Sequence, residues 1–213
     1  MIRKTLVVLI LTCLANANLA GAFSFDLPDS KHGLSFGNSI NFTGIRFNVQ
    51  DKYAETINGV NFTLWGGGHQ ADLFAETVNG LSLGLQPTAG EINGVALSGF
   101  SVVSNRLHGF AFAPYGVDAT EQMQGLALGG LWVGGRNSAV QGVALAGLWS
   151  TAKTLEGLSL GAVNLTQKTT GVQIGLFNRT QDLNGIQIGL LNYAGNNPAG
   201  LKLLPGINMN FSF

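Results

Sequence analysis

A short unit recurs down this chain, glycine followed by apolar, small, apolar and small residues, and it constrains the fold more than any other feature. Its clearest copies are Gly171-Val172-Gln173-Ile174-Gly175-Leu176-Phe177-Asn178 and Gly185-Ile186-Gln187-Ile188-Gly189-Leu190-Leu191-Asn192. Others open at Gly59, Gly80, Gly94, Gly109, Gly125, Gly142 and Gly157, and fainter ones at Gly33, Gly44 and Gly200. Most neighbouring copies lie about 14–17 residues apart. Within a copy the apolar period is two, which is the period of a strand and not of a helix. One face gathers bulky side chains, as in Val60/Phe62/Leu64 and Val172/Ile174/Leu176. The other gathers small or weakly polar ones, as in Ala111/Ala113, Ala144/Ala146 and Gln173/Gly175. Charged residues fall between copies, among them Glu76, Glu91, Arg106, Asp118, Glu121, Lys153, Lys168 and Asp182. Ser104-Asn105, Gly134-Gly135 and Asn196-Asn197-Pro198 supply turn chemistry there.

Two all-β architectures use such a pattern. The expected one is an antiparallel outer-membrane-type β-barrel of about 10–12 strands; the alternative is a β-solenoid of 14–17-residue repeats. For the barrel, a charge-free run of about nine residues, tilted by roughly 40°, spans near 23 Å, close to the ~25 Å apolar band of such barrels. Aromatic residues gather towards strand ends, at Trp65, Phe100, Tyr115, Trp132, Trp149, Phe177 and Tyr193, where alternating strands form interfacial girdles. The chain closes on Ile207, Met209, Phe211 and Phe213 with polar residues between, which resembles the terminal strand of outer-membrane barrels and implies the barrel-assembly machinery as a partner. For the solenoid, every copy has the same polarity, and Asn164, Asn178 and Asn192 recur at an interval suited to a ladder between stacked coils. The flat Ala/Ser/Gly/Gln face is then the expected contact surface. Pro205 requires a bulge or an edge position in the last strand.

Residues 1–22 read as a secretory signal peptide: Arg3 and Lys4, an apolar run from Thr5 to Leu14, then small residues at Ala15/Ala17 and Ala20/Ala22. Residues 23–213 form a single repeat-built β domain. Cys13 is the one cysteine and falls within the signal, so the remaining chain has no disulfide or thiol chemistry. Charged residues make up 10% against about 25% in ordinary soluble domains, and the formal net charge is zero. No basic patch for nucleic acid is present.

The run Gly171 to Asn192, with the Leu204-Pro205-Gly206-Ile207-Asn208 ending, resembles a family of bacterial surface-repeat proteins carrying Gly-Val-Gln-Ile-Gly-Leu copies. The likeness is close over 157–213 and degenerate over 57–156. It implies export to the bacterial outer membrane or cell surface, and no reaction.

No catalytic, cofactor-binding or metal-binding residues are assigned. His69 and Asp72 share the longest loop, after Gly66-Gly67-Gly68, but two ligands fall short of a zinc set. His32 and His108 stand apart, and Asp118 with Glu121 reads as a solvated loop. Asn61, Asn164 and Asn178 open glycosylation-type triplets that β-rich chains produce by chance. Trp132 and Trp149 suit interface anchoring better than sugar stacking. The expected function is a structural or narrow-channel envelope barrel in contact with outer-membrane lipid, without catalysis. The alternative is a secreted or surface-attached solenoid for binding or adhesion.

Overall fold

The computed structural model describes residues 24–51, 54–66 and 76–211. The signal segment with Cys13, the His69/Asp72 loop and Phe213 lie outside the described residues. Within them the strands are β1 (Ser24–Pro28), β2 (His32–Gly37), β3 (Asn41–Gln50), β4 (Thr56–Trp65), β5 (Thr77–Gln86), β6 (Thr88–Ser98), β7 (Ser101–Ala113) and β8 (Gly116–Gly129), then β9 (Trp132–Gly134), β10 (Ala139–Ala146), β11 (Trp149–Leu160), β12 (Val163–Ile174), β13 (Phe177–Thr180), β14 (Asp182–Ala194) and β15 (Leu203–Asn210).

The fold is a β-solenoid, and the barrel expectation is overturned by strand direction. Copies in neighbouring coils pair parallel and in register, Gly125 with Gly142, Gly142 with Gly157, Gly157 with Gly171 and Gly171 with Gly185. A barrel built from tight hairpins needs antiparallel neighbours. Among the described residues, antiparallel pairing occurs only at the two ends: β1 folds back on β2, and β15 folds back on β14. These end strands cap the stack. The terminal Ile207 and Met209 therefore sit opposite Ile188 and Ile186 as the last rung, not as a barrel seam. Pro205 sits at a register shift between Gly189 and Asn192 on an edge strand, as its missing N–H requires. Ser104-Asn105 is not a turn; it lies within β7, where Asn105 faces a register shift at which β8 carries one extra residue.

The glycine column explains why the repeat opens as it does. Gly109 and Gly125 have φ of 129° and 122°, in the region that disfavours other residues. A Cβ on Gly125 would also lie 2.1 Å from the carbonyl oxygen of Gly109 in the coil below. Both the backbone conformation and the closeness of the rungs exclude a side chain.

Burial assigns the two faces of each strand, and it inverts the expectation made for a solenoid. The small or weakly polar residues two after each glycine point inward: Ala96, Ala111, Ala127 and Ala144 are all 1% exposed or less. The bulky residues at one and three after it point outward. What fills the core beside the alanines is a second apolar column, two residues before each glycine: Ile57, Val78, Ile92, Leu107, Met123, Val140 and Leu155. Small side chains beside large ones let a narrow coil close at interior density. Truncating Leu107 to Ala would cost on the order of 2–5 kcal/mol.

Candidate functional site

The corner glycines divide the outer surface into two unlike strips. On the N-terminal side of each glycine the outward residue is polar, and neighbouring rungs join side chain to side chain. Asn79 Nδ2 donates to Asn58 Oδ1 at 2.8 Å, Asn93 Nδ2 donates to Asn79 Oδ1 at 2.9 Å, and His108 Nδ1 lies 2.9 Å from Asn93 Oδ1. An exposed ion-pair network lies on this side as well. Arg106 bridges Glu91 at 3.0 Å and Glu121 at 3.2 Å, one coil away on either side. Hydrogen bonds from Asn93 and Arg106 hold the Glu91 carboxyl below its usual range.

On the C-terminal side, two outward columns are apolar at every rung from cap to cap. The first runs Leu27, Leu34, Ile45, Val60, Leu81, Val95, Phe110, Leu126, Val143, Leu158, Val172, Ile186 and Met209. The second runs Phe25, Phe36, Phe47, Phe62, Leu83, Leu97, Phe112, Leu128, Leu145, Leu160, Ile174, Ile188 and Ile207. At about 4.8 Å per rung the strip is close to 58 Å long. Exposed members include Phe36, Ile45, Phe62, Phe112 and Met209. Phe36 stacks on Phe47 with centroids 5.6 Å apart, and Phe47 packs on Phe62 at 5.8 Å. Isolated exposed apolar residues need no explanation, whereas a contiguous patch of this extent marks a contact surface.

The apolar surface continues around the next corner. Phe100 stacks on Tyr115 at 4.5 Å, and Tyr115 meets the edge of Trp132 at the same distance. Leu148, Leu176 and Leu190 project at this corner, and the last two are 59% and 69% exposed. Beyond it a further in-register column runs Trp132, Trp149, Val163, Phe177 and Leu191. Polarity returns one outward position later, where the Arg179 guanidinium lies 5.7 Å from the centre of the Tyr193 ring.

The remaining candidates from the sequence do not converge. His32 faces Asp29 at 3.1 Å on the exposed N-terminal cap, and His108 belongs to the polar ladder. Glu121 pairs with Arg106 on the polar strip. Trp132 and Trp149 are neighbours on adjacent coils, consistent with one apolar column. Asn61, Asn164 and Asn178 are buried, so their glycosylation-type triplets face the core. No group of three or more metal-ligating side chains exists among the described residues, and no helix there is long and apolar enough to cross a membrane. Two shallow depressions lie near the N-terminal cap, around His32, Asn41 and Asn58.

The expected contact surface, the Ala/Ser/Gly/Gln face, is the interior of the coil. The bulky face is the one turned outward. Comparison with protein-family models, curated proteins and solved structures finds no match.

Proposed function

We propose that this chain is an exported, non-catalytic β-solenoid that works as a surface binding or adhesion module, with the charge-free apolar face as its contact surface. The observation that carries this reading is the unbroken pair of outward apolar columns running through both caps. Leaving that much hydrocarbon in water costs about 25 cal/mol per Å². Covering it with a partner recovers that free energy. Export rests on the signal-type segment over residues 1–22, and placement at the bacterial outer membrane or cell surface rests also on the surface-repeat resemblance. A structural scaffold with a sticky face needs no reactive group. That suits a site made only of aliphatic and aromatic side chains.

The test places charge at the centre of the strip. Leu128→Asp with Leu145→Asp alters two outward side chains on adjacent coils and leaves the interior untouched. The variant is expected to keep its β-type circular dichroism and to leave the envelope fraction for the soluble one. Undiminished retention in the envelope would overturn the apolar face as the contact surface.

A further inference from the structure

We infer that the partner of the apolar face is the hydrocarbon of one lipid leaflet, with the solenoid lying along the membrane and its apolar corner submerged. This inference rests on the reading of that face as the contact surface and names what covers it.

Shape selects lipid over a second copy. The apolar surface is not one flat strip; it turns a corner, and the two most exposed large apolar residues, Leu190 and Leu176, sit on that corner. A second rigid solenoid packs against one flat face at about 10 Å and leaves the convex ridge wet. A fluid leaflet wets the ridge and both flanking columns at once.

Depth agrees. From the glycine corner to the projecting leucine is five residues, as from Gly171 to Leu176. At about 3.3 Å each this flank is roughly 16 Å long, and the other, from Leu176 on to Arg179, is three residues or about 10 Å, so the ridge lies at most about 10 Å deep when both polar boundaries meet the surface. The wedge enters one leaflet of a ~30 Å hydrocarbon core without crossing it, the geometry of a monotopic protein.

The boundaries match an interface. On one side the amide ladder of Asn58, Asn79 and Asn93 begins where the apolar columns stop. On the other, Arg179 over Tyr193 places a cation and an aromatic ring at the height where such groups collect at membrane surfaces. Without Arg3 and Lys4 of the signal segment the exported chain keeps 9 basic residues against 11 acidic ones, so hydrocarbon and not attraction to anionic headgroups drives attachment.

Flotation of the purified exported chain with protein-free phosphatidylcholine vesicles tests this. The chain is expected to float with the vesicles, undiminished in 0.5 M salt and unchanged when anionic lipid is added. Leu176→Asp and Leu190→Asp are each expected to weaken partitioning about tenfold or more. Acyl-chain-brominated lipid is expected to quench the tryptophan emission, since Trp132 and Trp149 lie in the submerged column. Leu176→Ser with Leu190→Ser guards against misfolding and should weaken binding with an unchanged melting temperature. No flotation, with a sedimentation coefficient showing a dimer that the Leu128→Asp/Leu145→Asp variant dissolves, would overturn lipid in favour of a second copy and leave the contact surface standing. Loss of envelope retention after protease treatment of envelope vesicles would likewise overturn lipid in favour of a protein partner. A variant that still floats as well as the parent would overturn the submerged corner itself.

Discussion

The solenoid has a polar interior near each end, and the two are built on opposite plans. In the C-terminal coils the buried polar groups repeat with the coil. Asn164 Nδ2 donates to Asn178 Oδ1 and Asn178 Nδ2 donates to Asn192 Oδ1, both at 2.7 Å, while Gln187 Nε2 donates to Gln173 Oε1 at 2.8 Å. The second Asn178 donor bond goes to the Ile188 carbonyl at 2.9 Å. Each amide is both donor and acceptor, so translation by one rung satisfies it, and the exception is Gln187 Oε1, left without a partner where the glutamine pair ends. In the N-terminal coils the buried polar groups do not repeat. Arg46 donates to Asp51 and, at 2.9 Å, to Asn61; Thr63 also donates to Asp51; and Glu76 lies 3.7 Å from the same guanidinium. One buried cation thus serves two buried carboxylates, and Arg46 Nε has no partner. Removal from water, and then the nearby Asp51 charge, push the Glu76 carboxyl well above its usual range, against the pull of Arg46. The difference teaches that a stacked repeat tolerates buried polarity when each group is its own best neighbour, and becomes fragile where a unique charge must be matched.

Four measurements break or sharpen that contrast. The largest effect is expected for Arg46→Met, which strands two carboxylates in the core; urea unfolding should show a loss of about 3–5 kcal/mol. Next, Asn178→Ala removes one ladder member and leaves Asn192 Oδ1 and the Ile188 carbonyl short of a donor, with a smaller loss of about 2–3 kcal/mol by the same method. Third, Glu76→Gln tests the raised carboxyl. Because its folded value lies above the unfolded one, its contribution to stability is full below about pH 4.5 and is lost as pH rises towards and through the raised value. The Gln variant should therefore melt higher than the parent at pH 7.5, with the gap closing at pH 4. Last, Arg106→Gln breaks only exposed pairs on the polar strip and should change stability by less than about 1 kcal/mol.

Much of this fold was legible in the chain. The period of two placed the strands, the glycines marked where each copy opens, and the spacing of Asn164, Asn178 and Asn192 suited the ladder that the coils form. Pro205 called for a bulge or an edge position, and it has both. Strand direction was not legible, because alternation within a strand is the same whether its neighbour runs parallel or antiparallel. Charge-free runs and a terminal Ile207-Met209 pattern fit a barrel wall and a solenoid's outer column equally well. Nor does alternation say which face is inside. The signal that decides it was present but fell outside the repeat as framed: an apolar residue stands two before the glycine in most coils, as Ile92, Leu107, Met123 and Val140 do. Counting that column fills the coil and leaves no room inside for the bulky residues after the glycine. The contact surface follows from this, and so was misplaced with it.

Two engineered disulfides test the stacking most directly, in a mature chain that carries no cysteine of its own by the sequence reading. One joins Val172→Cys to Ile186→Cys, and the other joins Ile174→Cys to Ile188→Cys, prepared as separate double variants. In a parallel in-register stack both pairs are direct neighbours, within the Cα separation that a disulfide spans. Both should close on mild oxidation with little change in melting temperature. Antiparallel copies can bring only one of the two pairs together, so closure of one and refusal of the other would contradict the solenoid.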